Sequence, residues 1–264
     1  MARADLCGKS IDCASKSLYE LLNEAADRYP DDIALACLHQ DSEHLSSPNN
    51  DSQSKSKQPW LRWTHAELAH AGSELAKRLR ADAILPGARV AFVAGSCVEY
   101  HIALRACLEL RCIFAPMNVN VVEREKELRH LLSIVDPSVV IVQSADIAVK
   151  VNKALSKDPQ LRFVLDREEK EGTWTSLERY LASETPQSDG VMLEDDNASK
   201  RGPDDIILLL STSGTTSLPK GCPLSSRNLV SAAFGMGEVF EIDKDSVALN
   251  HMPLSHGMSI ASAQ

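Results

Sequence analysis

The chain reads as α/β, with largely parallel sheets flanked by helices. Two observations predict this class. Short apolar runs alternate with stretches of helical hydrophobic period along most of the 264 residues, the pattern of strands joined by crossover helices. Several runs, Val139 to Val142 above all, are apolar without interruption, as strands covered on both faces are. No internal repeat and no heptad run points to another architecture.

Taken in order, Leu18, Leu21, Leu22, Ala25 and Tyr29 share one helical face and predict a first helix. Ile33 to Leu38 reads as a strand. Asp41 to Gln58 is a Ser/Asn/Gln/Lys tract with almost no apolar content, which predicts a mobile surface insertion at 41–58. Trp60 to Thr64 resumes extended structure. Thr64-His65-Ala66-Glu67 is a capping box that opens a helix with Leu68, Leu75 and Leu79 on its apolar side. Pro86-Gly87 ends that unit. Strand Arg89 to Ala94, helix Val98 to Leu110 and strand Cys112 to Met117 follow.

The alternation then continues through a charged helix, Glu123 to Ile134, with Leu128, Leu131 and Leu132 turned inward, to the strand Val139 to Val142. A helix from Asp146 to Ser156 leads to strand Arg162 to Leu165. Thr175-Ser176-Leu177-Glu178 predicts a second capping box before a short helix. Glu184 to Asp205 is acidic and loop-like. Ile206 to Leu210 is a buried strand, and Ser225 or Ser226 starts a last helix with Leu229, Ala233, Met236 and Phe240 at core spacing. This divides the chain into an N-terminal α/β region, 1–205, and a strand–helix segment, 206–264, that is incomplete at its C-terminal end.

A formal net charge of −9 argues against nucleic acid or an anionic membrane as the main partner. Seven cysteines, an odd number without a Cys-x-x-Cys pair, suit reduced thiols in an intracellular compartment, cytoplasmic or peroxisomal. Met1 to Ser10 lacks the apolar core of a signal peptide, and no apolar run is long enough to span a bilayer.

The chemistry concentrates in Ser211-Thr212-Ser213-Gly214-Thr215-Thr216-Ser217, six hydroxyls and a glycine, followed by Leu218-Pro219-Lys220-Gly221. Backbone N–H groups, hydroxyls and a lysine between a strand and a helix start suit a polyphosphate. The Gly-x-x-x-x-Gly-Lys-Ser/Thr pattern is absent: counting from Gly214, Pro219 fills the second glycine slot and Gly221 the hydroxyl slot. No Gly-x-Ser-x-Gly elbow supports a serine hydrolase. His251 and His256, five apart, do not share a helix face as a metal pair would. Gly235-Met236-Gly237 lies within a helix rather than after a strand and is no dinucleotide fingerprint.

The loop resembles the phosphate loop of the adenylate-forming superfamily, Thr-Ser-Gly-Thr-Thr-Gly-x-Pro-Lys-Gly, which includes acyl-CoA synthetases, luciferases and peptide-synthetase adenylation domains. Ser217, in place of the usual glycine, is the departure. The resemblance extends to Leu18–Leu22, Arg28-Tyr29-Pro30-Asp31, Trp63–Leu68, Leu85–Ala91 and Leu108–Asn118. In the last of these, Arg111 stands where the family has glycine, at a helix end that favours a left-handed backbone, at a cost of about 1 kcal/mol. Val247 to Gly257 is similar to the family's Pro-x-Phe-His-x-x-Gly segment, with Ser255 in place of the aromatic.

What the resemblance implies is the first half of an adenylate-forming large domain. A carboxylate attacks the α-phosphate of ATP, giving acyl-AMP and pyrophosphate, and the acyl group passes to CoA or to a carrier-protein thiol. Thr212, Ser213, Gly214, Thr215, Thr216 and Lys220 would cradle the ATP phosphates, and His256 would help place the acyl group. The magnesium-holding glutamate, the ribose-binding aspartate and the catalytic lysine of the family would fall beyond Gln264. The expectation is therefore a shortened acid–thiol ligase without most of that machinery, without a magnesium ligand of its own, and with exposed apolar surface. Three other readings stand beside CoA ligation: an adenylation domain that loads a carrier protein, a non-catalytic binding fragment, and an unrelated phosphate-binding α/β protein.

Overall fold

Two strands with almost no polar side chains, β3 (Arg89–Val93) and β5 (Val139–Val142), form the middle of a seven-stranded sheet. The computed structural model describes residues 16–45, 59–166, 173–183, 202–212, 218–243 and 246–256. The other strands of this sheet are β4 (Ile113–Met117), β6 (Leu161–Val164), β7 (Thr175–Ser176), β8 (Ile206–Thr212) and β9 (Lys220–Ser225). Their spatial order is β7-β6-β5-β3-β4-β8-β9. Every pairing is parallel except the last, β8 with β9. A separate antiparallel pair, β1 (Ile33–Asp41) and β2 (Trp60–Thr64), stands beside it.

Alternate side chains of each central strand enter two different cores, because successive residues point to opposite faces. Val90, Phe92, Phe114, Val139, Ile141 and Phe163 enter one. The helices α1 (Leu18–Arg28), α2 (His65–Ala81), α3 (Val98–Leu110), α6 (Leu177–Ala182) and α7 (Ser226–Phe240) contribute to it. Ala91, Val93, Ala115, Val140 and Val142 enter the other, covered by a 3-10 helix (Val119–Glu123), α4 (Glu125–Val135) and α5 (Ala145–Ala154). With both faces covered, a parallel sheet needs uninterrupted apolar strands, which is what the sequence shows.

Helix starts follow local chemistry. Thr64 and Glu67 form the expected reciprocal box at the head of α2, and Ser225 with Asn228 forms one at α7. The box expected at Thr175 is shifted by one residue. Thr175 pairs with Phe163 as a strand residue, so the chain turns later, and Ser176 caps α6 by accepting from the Arg179 N–H. The insertion read as mobile begins with packed residues: Leu45 is buried and His44 contacts the buried Glu99 at 2.5 Å. Residues 46–58 lie outside the described residues.

Gly72 sets how closely α2 approaches α3, since a Cβ there would fall 2.6 Å from the Arg105 Cβ. Arg111 ends α3 in the left-handed region at φ 58°, as the sequence predicted. A residue with a Cβ is strained there by about 1–2 kcal/mol, partly offset by the greater chain entropy that glycine loses on folding. Arg111→Gly is therefore expected to stabilise the fold by about 0.5–1 kcal/mol, read as a higher midpoint in a urea unfolding curve.

The His101 ring on α3 packs against Tyr100, with ring centroids 5.4 Å apart. Burial, and secondarily the Arg105 guanidinium, pull its pKa down to about 4. Histidine in the unfolded chain titrates near 6.5, so the unfolded state takes up a proton that the folded state refuses. Its stabilising contribution is complete above pH ~6.5 and is lost as the pH falls toward 4. The expected loss is about 2 kcal/mol between pH 7 and 4 after allowance for residual exposure. His101→Leu should flatten that part of the pH–stability curve measured by denaturation, relative to the parent chain.

Candidate functional site

The hydroxyl-rich stretch connects two strands that pair antiparallel. β8 carries Thr212 as its last residue, β9 starts at Lys220, and the two pair directly across the base of the loop. β8 is locked into the sheet on its other side through Phe114 and Leu208 of the β4–β8 ladder. Because β8 runs parallel to β4, the loop emerges at the carboxyl edge of the parallel strands, where open α/β sheets bind ligands. At the base, the Lys220 N–H donates to Thr212 Oγ1, and that hydroxyl donates to the Lys220 carbonyl, both at 3.4 Å. Such long bonds are weak, which leaves the Thr212 hydroxyl available to an incoming acceptor.

Lys220 is exposed, and its ammonium has no ion-pair partner among the described residues. Pro219 beside it is buried, and its carbonyl accepts from His130 Nε2 of α4 at 2.9 Å. That contact assigns the proton to Nε2, because a carbonyl can only accept. Gly221 lies against the same helix: a Cβ there would be 2.9 Å from Ile134 Cγ2 and 3.3 Å from Leu209 Cδ1. His130, Ile134, Leu209, Leu218, Pro219, Lys220 and Gly221 line a shallow, mostly apolar groove beside the loop base.

Of the residues expected to hold phosphates, Thr212 and Lys220 are brought together. Ser213, Gly214, Thr215 and Thr216 lie outside the described residues, as does Ser217. His256 is exposed in a turn where its N–H donates to the Pro253 carbonyl at 2.9 Å, and the buried Leu254 anchors that turn to the first core. No hydrogen bond or ion pair joins His256 to Thr212 or Lys220. Among the described residues no three His, Cys, Asp or Glu side chains lie together as a cation site. The described loop base presents a hydroxyl, amides and a lysine, without a carboxylate, so it does not fit a magnesium ion.

One expectation is overturned. The loop does not run from strand to helix: the six residues of β9 intervene before α7. Glycine and proline in Lys220-Gly221-Cys222-Pro223-Leu224-Ser225 mask the strand. It is tolerated because β9 is an edge strand, where a missing N–H costs little. The usable signal is the half-buried positions Cys222 and Leu224 alternating with exposed ones. His130 was also missed, since a single histidine on an amphipathic helix carries no sign of a partner 89 residues away.

A largely parallel sheet covered by helices on both faces defines an α/β class. The sequence pattern of the AMP-binding enzyme family matches residues 22–263, and the chain belongs to that family. An oxalate–CoA ligase of Arabidopsis thaliana is 30% identical over 92% of this chain, which corresponds to 41% of that protein. Nonribosomal peptide synthetase 2 of Cochliobolus heterostrophus is 26% identical over 85% of this chain and 4% of its own length. A long-chain-fatty-acid CoA ligase candidate from Rhodopseudomonas palustris CGA009 superposes with a TM-score of 0.71 at 21% identity, over 94% of this chain and 55% of that structure. The chain thus spans about two fifths of the length of its CoA-ligase relative. No described helix is long and apolar enough to cross a membrane.

Gly221→Val should destabilise the fold by about 1–3 kcal/mol, because the branched Ile134 side chain cannot swing clear of the added atoms. A lowered denaturation midpoint checks this, and an unchanged one would mean that the hairpin is not pressed onto α4.

Proposed function

We propose that this chain supplies the phosphate-gripping part of an ATP-dependent carboxylate–CoA ligase. The observation that carries this reading is the pairing of Thr212 with Lys220, which has no ion-pair partner among the described residues, in a chain of the AMP-binding enzyme family. Lys220 offsets negative charge on the β- and γ-phosphates, and Thr212 with Ser213, Thr215 and Thr216 donates hydrogen bonds to their oxygens. Gly214 lets the backbone approach them closely. Held this way, the leaving pyrophosphate is stabilised as charge develops on it. The substrate carboxylate oxygen forms a bond to the α-phosphorus as the bond to pyrophosphate breaks. The thiolate of CoA then attacks the acyl carbonyl and AMP leaves. His256, on the family resemblance, helps to place the acyl group.

A second reading, transfer to a carrier-protein thiol, is favoured by the match to a peptide synthetase. The acceptor is decided by incubating the protein with ATP and a panel of carboxylic acids, with CoA or a phosphopantetheinyl carrier supplied separately. Thioester on CoA alone supports the first reading, and thioester on the carrier alone supports the second. ATP binding without ATP–pyrophosphate exchange would leave a non-catalytic binding role.

Lys220→Ala is expected to weaken ATP binding roughly 5- to 30-fold while leaving the unfolding midpoint unchanged. Titration calorimetry with MgATP checks it. Equal affinity in the two proteins would mean that Lys220 is a solvated surface charge.

A further inference from the structure

We infer that His130 is a positioning residue for the phosphate loop, a proposal that rests on the reading of that loop as the ATP site. The hairpin is held unequally on its two sides. Its β8 arm is flanked by β4 and β9, whereas β9, which carries Lys220, is the edge strand among the described residues and pairs there with β8 alone. At the rung nearest the loop the Thr212 hydroxyl adds only two long bonds to Lys220, both 3.4 Å. Left to that rung, Lys220 would fray with the end of its strand, and a frayed lysine is a poor clamp for a phosphate.

α4 replaces the missing neighbour. His130 Nε2 donates to the carbonyl of Pro219, the residue immediately before Lys220, at 2.9 Å in half-buried surroundings. One turn further along the same helix, Ile134 presses on Gly221, the residue immediately after Lys220. The lysine is therefore bracketed on both sides by contacts to one helix. Proline has no N–H and its ring fixes φ only, so the direction of its carbonyl is left to ψ and to whatever bonds that oxygen. The histidine thereby fixes the direction in which the chain enters Lys220. His130 touches no reacting atom in this arrangement. It acts through the backbone of Pro219, and either the neutral Nε2–H tautomer or the imidazolium can donate the bond.

The test compares His130→Leu, which removes the donor, with His130→Gln, whose amide nitrogen reaches about as far as Nε2. Amide hydrogen exchange at Lys220, Gly221 and Cys222 is followed alongside MgATP affinity and the unfolding midpoint. His130→Leu should speed exchange at Lys220 by roughly 3- to 10-fold and weaken MgATP binding by a similar factor. His130→Gln should restore both to within about 2-fold. A merely structural role would move the midpoint of both variants together and show no rescue. Unchanged exchange at Lys220 in His130→Leu, or failure of His130→Gln to restore it, overturns the proposal. If the parent chain binds no MgATP, the reading of the loop as an ATP site fails, and the exchange comparison still decides whether His130 positions Lys220.

Discussion

The contact on which the rest of the site depends is the ladder between β4 and β8. It is thin, with Phe114 opposite Leu208 as its register pair, yet it joins an antiparallel hairpin to a sheet that is otherwise parallel. Ile207, Leu208 and Leu210 sink into the first core while Leu209 reaches the second, so β8 is held from both faces as well as by its neighbour. A strand anchored in this way can carry a connecting segment at its end and still start that segment from a fixed place. The sheet supplies the rigidity, and the loop is free to be polar.

That rigidity rests on how fully the sheet is covered. Val139 to Val142 are buried at every position, and alternate residues serve different cores, so neither face can slip by one residue without exchanging all of its contacts. The covering is uneven at α7. Leu229 and Val230 are buried at its start, while Phe234, Val239 and Phe240 further along are 46%, 76% and 64% exposed. Among the described residues, Ile242, Val247 and Leu249 beyond α7 are exposed too, while Ile33, Leu38, Leu85 and Val149 expose apolar surface elsewhere in the fold.

The fold class was legible because each signal is local. β-Branched runs, capping boxes and helical periods depend on residues close in sequence, and α3 and β5 fall where the pattern placed them. The left-handed end of α3 at Arg111 was legible for the same reason. What could not be read was pairing. Whether Lys220 to Ser225 is loop or strand depends on β8 offering an unpaired edge, and whether His130 matters depends on Pro219 arriving beside it. Both are consequences of the assembled sheet. The one-residue error at Thr175 has this origin too, because pairing with Phe163 outranked a favourable cap.

The hairpin geometry also decides where the positive charge must come from. A loop that leads straight into a helix can use that helix's N-terminal amides and dipole on an anion. Here the six residues of β9 separate the loop from α7, a path of about 20 Å at strand rise. That is beyond the reach of an effect confined to the first turn. The leading amides of α7 are also engaged, since Ser225 Oγ accepts from the Asn228 N–H and the Asn228 side chain accepts from the Ser225 N–H. Helix α7 therefore contributes packing through Leu229 and Val230 and almost nothing electrostatic. On the proposed reading of the loop as a phosphate site, compensation of a bound polyphosphate would fall to Lys220 and to the amides and hydroxyls of the loop itself. A single cation in that role would be effective only if its backbone were held still, so on that reading the brace from α4 and the anchoring of β8 would serve the chemistry of the site as well as its architecture.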